Sequence, residues 1–141
     1  MEKFIEMLPP QAAVLDVGCG TGRDVLYLSK HASFVMGIDI SSAMLAIASS
    51  KGATGLVLAD FTELPASDGV FDGCWAAASL LHAPKAVAPD VLSDIRRVLR
   101  PNGTFFLCLK KGSGEGIQGS EAEARYFSLY ERAEGDELLS G

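Results

Sequence analysis

The segment Asp16-Val17-Gly18-Cys19-Gly20-Thr21-Gly22 limits this chain's possible folds more than any other. Ahead of it, residues 12–17 form an apolar run that reads as a buried strand, and the first glycine ends it. Val25, Leu26, Leu28 and Ser29 then follow at helical spacing, in a stretch reaching about His31. A strand that breaks through glycines straight into a helix sets backbone N–H groups and a positive dipole end beside any bound anion. A carboxylate or phosphate of a cofactor would suit that place. The dinucleotide fingerprint needs its third glycine one position after Gly22, where Arg23 stands, and the Lys-Ser/Thr ending of a phosphate-binding P-loop is missing.

The same alternation continues downstream. Lys3 to Leu8 is amphipathic and is stopped by Pro9-Pro10, and residues 34–39 return to strand character. Ser41 or Ser42 can cap a helix running to about Ser50. Strands are expected from Gly55 to Ala59, from Val70 to Ala77 and from Thr104 to Leu109, with a helix from Asp90 to Leu99. Gly112 to Gly119, within a segment 112–120 rich in Gly, Ser and Glu, reads as a flexible loop, and Glu121 to Glu134 as a helical stretch. The strands are nearly continuous apolar runs, as expected where helices cover both faces of a parallel sheet. The fold class is therefore α/β, a Rossmann-like, doubly wound, mostly parallel sheet of about five strands in one domain spanning 1–141. Ligands of such a sheet bind beyond the carboxyl ends of its strands, where the strand order reverses.

Charge and cysteine content narrow the partners. The formal net charge of −6 opposes a polyanionic partner, because phosphate binding rewards clustered Lys and Arg. The paired bases Arg96-Arg97 and Lys110-Lys111 read as a solvated helix face and a strand end, so nucleic acid is not the expected partner. Cys19, Cys74 and Cys108 make no C-x-x-C pair, and each sits in an apolar run, so they are expected to be reduced packing residues in a cytoplasmic protein. No apolar run approaches the roughly 18 residues of a membrane span. The His residues and carboxylates make no metal-ligand spacing.

Two further strand ends carry acids. Asp39 closes the second strand 17 residues after Gly22, where a carboxylate can accept hydrogen bonds from both hydroxyls of a ribose. Asp60 closes the third beside Phe61, a pairing suited to an exocyclic amine and a base edge. Three strand ends thus converge on one nucleoside.

The ordered set of motifs resembles the class I S-adenosylmethionine-dependent methyltransferases, particularly small bacterial-type members with a Gly-Cys-Gly-Thr-Gly-Arg-Asp start. Those motifs are residues 14–24, Gly37-Ile38-Asp39-Ile40-Ser41 with Met44-Leu45, residues 58–65, Phe71 to His82, and Val98 to Thr104. The resemblance implies that Gly18, Gly20 and Gly22 hold the methionine part of S-adenosyl-L-methionine, with Asp16 acting on its ammonium directly or through water. It implies that Asp39 takes the ribose hydroxyls, that Ile40 and Met44 pack near the adenine, and that Asp60 and the Phe61 N–H read the adenine edge. Ala77 would offer a carbonyl to the methionine amine, and Arg23 would approach the cofactor carboxylate. The product would be S-adenosyl-L-homocysteine.

Methyl transfer from a sulfonium annihilates charge, so alignment and water exclusion can supply much of the rate, and a base is needed only if the acceptor loses a proton. Only His82, after the fourth strand, falls near the expected site as a candidate base, and ending its turn is the favoured role for it; His31 falls far from the site. No Asn/Asp-Pro-Pro-Tyr/Phe follows the fourth strand, where Ala76-Ala77-Ala78-Ser79 stands, and there is no Pro-Cys nucleophile. These absences point away from amino-group and cytosine methylation, and the acidic charge favours a small-molecule methyl acceptor over nucleic acid. Two alternatives stay open: a non-catalytic module binding S-adenosylmethionine or its demethylated product, and a tRNA wobble-uridine methyltransferase, which looks similar around Phe71 to His82. Full-length relatives carry a further helical segment at the start and two more strands at the end. The chain is therefore expected to be truncated at both ends, leaving Thr104 to Leu109 as an open edge through which copies could associate.

Overall fold

A computed structural model describes residues 1–120 and 124–140. Helix α1 (Glu2–Glu6) leads into strand β1 (Ala13–Val17), and α2 (Arg23–Leu28) follows the glycine turn. Next come β2 (Phe34–Asp39), α3 (Ser42–Ser50), β3 (Leu56–Leu58) and β4 (Phe71–Ala77). Two short 3-10 turns, Leu80–His82 and Lys85–Val87, connect β4 to α4 (Ala88–Val98), which feeds β5 (Leu99–Cys108). The five strands form one parallel sheet in the order β3-β2-β1-β4-β5. The order reverses between β1 and β4, which makes their carboxyl ends the switch point.

Alternation along each strand divides the core between the two sheet faces. Leu15 and Val17 pack with Ile38, Phe71, Cys74, Val91, Ile95 and Val98 on the α4 side. Val14 points the other way, into a cluster of Phe4 from α1, Val25 and Leu28 from α2, Ala48 from α3, and Val35 and Trp75 from the neighbouring strands. Burial of both faces explains why the strands read as unbroken apolar runs. Trp75 stacks on Phe106 with ring centroids 3.8 Å apart, and its Nε1–H donates to Asp24 Oδ2 at 3.0 Å. Asp72 joins β1 to β5, accepting from the Ala13 N–H at 2.8 Å and from Arg100. Burial pushes the Asp72 carboxyl up, but these two donors outweigh it and hold it below the usual carboxylate range.

Several expectations need correction beyond β5. The expected loop 112–120 contains a strand, β7 (Glu115–Gln118), after a short β6 (Lys110–Lys111). The expected helix Glu121 to Glu134 is instead a strand, β8 (Arg125–Tyr130), and helix begins only at α5 (Arg132–Ser140). Residues 121–123 of that stretch lie outside the described residues. β7 and β8 form an antiparallel hairpin, and β8 also pairs in parallel with β6. The aromatic content of Arg125-Tyr126-Phe127-Ser128-Leu129-Tyr130 favours a half-buried strand over a helix once a partner strand is present. Left-handed Gly112, Gly114, Gly116 and Gly119 allow the preceding chain to fold back.

Two smaller readings also change. Cys19 and Cys74 are buried as expected, but Cys108 is exposed at the end of β5. Burial pushes the Cys19 thiol up to about 12 and Cys74 up as well, so neither is a ready nucleophile. Arg97 does not belong to a solvated face: its guanidinium donates to the carbonyls of Leu64 (3.2 Å) and Ala66 (2.7 Å) and pairs with Asp68 and Asp94. It thereby fastens the connection after β3 to α4. As expected of the sheet, β5 is an end strand. No described helix is long and apolar enough to cross a membrane.

Candidate active site

A cleft of about 550 Å3 opens at the carboxyl ends of the strands. Gly18 and Gly20 line it from the β1 turn, Asp39, Ile40 and Met44 from β2 and α3, and Phe61 from beyond β3. Ala78, Ser79 and His82 enter from the end of β4. All three turn glycines adopt left-handed backbone, Gly18 with φ +72°, Gly20 +53° and Gly22 +76°, a region costly for side chains. Gly22 also packs on α3, since a Cβ there would lie 2.7 Å from the Ala48 Cβ.

Three of the turn's N–H groups are engaged within the protein. Cys19 N–H donates to the Ile38 carbonyl at 2.8 Å, Gly20 N–H to Asp39 Oδ2 at 2.8 Å, and Gly22 N–H to the Cys19 carbonyl at 3.0 Å. Asp39 accepts from the Ser41 N–H through its other oxygen, also at 2.8 Å. Its carboxylate is thus rigidly aimed, and each oxygen keeps a second lone pair for a diol. Ser41 caps α3 by accepting from the Met44 N–H at 3.3 Å, which places Met44 in the cleft wall.

Asp16 is the most perturbed acid beside the turn. It is 2% exposed, and its Oδ2 has no hydrogen-bond partner among the described residues. Burial, reinforced by the charge of Asp24 against the opposing pull of Arg23, pushes its carboxyl up to about 8. The Ser79 Oγ, at the end of the neighbouring strand β4, is likewise buried without a partner. Two orphaned oxygens at the switch point suit a ligand that brings hydrogen-bond donors and a positive charge, such as an ammonium group.

Other expected residues are placed differently. Arg23 turns out to solvent, its side chain 85% exposed and paired with Asp24 at 2.7 Å, and does not line the cleft. Asp60 is exposed outside the lining, its Oδ1 accepting from the Thr62 N–H at 2.9 Å, whereas Phe61 and Ala59 are in the wall. Ala77 ends β4 just short of the cleft, and Ala78, held left-handed at φ +58°, and Ser79 take that place. His82 lines the cleft and also ends the 3-10 turn Leu80–His82.

Arg125 and Tyr126 of the hairpin were not anticipated, yet both line the cleft. The alternation of Tyr126, Ser128 and Tyr130 was the available signal for a strand there. A larger cavity of about 740 Å3 lies elsewhere, among α4, β5 and α5, and contains none of these residues.

The fold and cleft define a doubly wound domain with a nucleoside-type site at its switch point. Residues 14–103 match the family described as "Methyltransferase domain", and the chain belongs to that family. It is 31% identical over 126 residues to O-methyltransferase rstn1 of Aspergillus nomiae, covering 84% of this chain and 55% of that protein. Among solved structures, a SAM-dependent methyltransferase of Methanosarcina mazei shares the fold with a TM-score of 0.87 at 19% identity, covering 99% of this chain and 82% of its own. The Burkholderia thailandensis 1,6-didemethyltoxoflavin-N1-methyltransferase, solved with 1,6-didemethyltoxoflavin and S-adenosylhomocysteine, gives a TM-score of 0.71 at 27% identity over 92% of this chain and 58% of its own. The chain spans about half the length of the curated relatives it matches.

Proposed function

We propose that this domain binds S-adenosyl-L-methionine in the switch-point cleft and transfers its methyl group to a small-molecule acceptor. The observation that carries the reading is the pair of buried, unpartnered oxygens on Asp16 and Ser79 beside a left-handed glycine turn. Asp16 would take the cofactor's ammonium, Asp39 the ribose hydroxyls, and Ile40, Met44 and Phe61 the adenine. When bound, the cofactor supplies an electrophilic methyl on a sulfonium. The protein's part is to align the acceptor with that methyl and exclude water.

An acceptor-side wall contributed by Arg125, Tyr126 and His82 favours an enzyme over a module that only holds the cofactor. The acidic net charge of −6 disfavours tRNA as acceptor. Buried thiols at Cys19 and Cys74 support a cytoplasmic setting. The end position of β5 supports self-association along Thr104 to Leu109, which sedimentation over a range of concentrations tests: a monomer throughout rejects that part.

Titration calorimetry with S-adenosylhomocysteine tests the cofactor reading. Wild type should bind, and Asp39→Ala, with its fold checked by circular dichroism, should bind roughly 10- to 100-fold more weakly after losing charge-assisted hydrogen bonds. Absent wild-type binding, or equal affinities, would reject the assignment.

A further inference from the structure

The hairpin of β7 and β8 is fastened to the turns that follow β4 by polar contacts rather than by a large apolar face. The Ser128 hydroxyl, fully buried, donates to the Ala83 carbonyl at 2.6 Å. Glu115 Oε2 accepts from the Lys85 N–H at 2.7 Å and lies 3.0 Å from the same Ser128 hydroxyl. Lys85 Nζ pairs with Glu134 at 2.7 Å, at the start of α5. So held, the hairpin brings the Tyr126 carbonyl to 2.9 Å from His82 Nδ1, and the Phe127 ring to 4.8 Å from the imidazole.

A carbonyl can only accept a hydrogen bond, so Nδ1 must carry the proton. In the neutral ring Nε2 is then bare, a lone pair with no hydrogen-bond partner among the described residues, on a side chain that lines the cleft. Attack by an amine needs no base, because the nitrogen can carry the resulting charge. A hydroxyl that attacks a methyl group without losing its proton would become an oxonium, so it gains most from a base already in place.

We infer, resting on the proposed cofactor site, that the hairpin presets His82 as the proton acceptor for a hydroxyl-bearing methyl acceptor. The acceptor O–H gives its proton to Nε2 while an oxygen lone pair forms the new O–CH3 bond. The S–CH3 bond breaks with its electron pair returning to sulfur. The sulfonium becomes a neutral thioether, and the positive charge ends on an imidazolium whose Nδ1–H stays on the Tyr126 carbonyl. His82 acts on the acceptor, while Glu115 and Ser128 are positioning residues that act through it.

Nitrogen-15 NMR of the histidine side chains in the full chain, with and without S-adenosylhomocysteine, tests this directly. The neutral His82 ring should be protonated at Nδ1 and bare at Nε2; protonation at Nε2 overturns the inference. Glu115→Ala should loosen the hairpin and let the Nε2–H form appear, whereas a wild-type pattern would remove the hairpin's role. In protein saturated with S-adenosylhomocysteine, phenol should shift the Nε2 resonance and bind roughly threefold to tenfold tighter than anisole, which lacks the hydroxyl. Equal responses would overturn the hydroxyl assignment. Saturation by S-adenosylhomocysteine is read in the same samples, so a failed cofactor site is distinguished from a wrongly protonated histidine.

Discussion

Gly18 and Ser79 approach so closely across the switch point that a Cβ added to Gly18 would lie 2.5 Å from the Ser79 Cβ. The turn after β1 and the chain leaving β4 therefore meet through a missing side chain, and that contact sets the floor of the cleft. Gly18→Ala combines overpacking with a left-handed alanine and should cost about 2 to 4 kcal/mol. Urea unfolding followed through the single tryptophan, Trp75, measures it, and a loss under about 0.5 kcal/mol would show that the contact gives way freely.

Asp16 makes stability and binding depend on pH in a defined sense. In the empty folded protein its carboxyl stays protonated up to about pH 8, while in the unfolded chain it ionises near 3.8. Its stabilising contribution is complete below the unfolded value and is lost as pH rises toward about 8. Unfolding free energy should therefore fall more between pH 5 and pH 8 in wild type than in Asp16→Asn, by an amount on the order of a few kcal/mol, as read from urea unfolding at each pH. An ammonium opposite Asp16 would ionise it, so binding of S-adenosylhomocysteine near pH 7 should release a proton. Calorimetry in buffers of different ionisation enthalpy reads this release, and Asp16→Asn should abolish it.

Arg97 should act on the site from a distance. Its guanidinium ties the Leu64 and Ala66 carbonyls to Asp94, which itself accepts from the Leu64 N–H at 2.7 Å, so the connection carrying Phe61 is held from α4. Arg97→Ala should destabilise the domain by about 1 to 3 kcal/mol and expose residues 61–69 to limited proteolysis. Arg97→Lys should rescue little, because an ammonium cannot reproduce the planar fork of donors. A full lysine rescue would mean that charge alone holds the segment.

The five-stranded sheet was legible because burial on both faces leaves unbroken apolar runs and because glycine ends β1. Asp39 and the Ser41 cap were legible for a similar reason: short-range chemistry at a strand end fixes both. The family resemblance implies cofactor contacts for Arg23 and Asp60, but Arg23 is drawn outward by Asp24 beside it, and Asp60 accepts from its own turn. The hairpin stayed hidden because its contacts join Glu115 and Ser128 to Ala83 and Lys85, some 30 to 45 residues away in the chain. Local composition around Gly112 to Gly119 suggested only flexibility. Arg97 was misread for the same reason, since all but one of its partners lie about 30 residues upstream.

A crystal structure of the chain with S-adenosylhomocysteine tests the central claim most directly. The account predicts the ligand in the switch-point cleft, with its ammonium facing Asp16, its ribose hydroxyls on Asp39 and its adenine against Ile40, Met44 and Phe61. A ligand seated in the larger cavity among α4, β5 and α5, or one leaving Asp16 and Asp39 untouched, would contradict it.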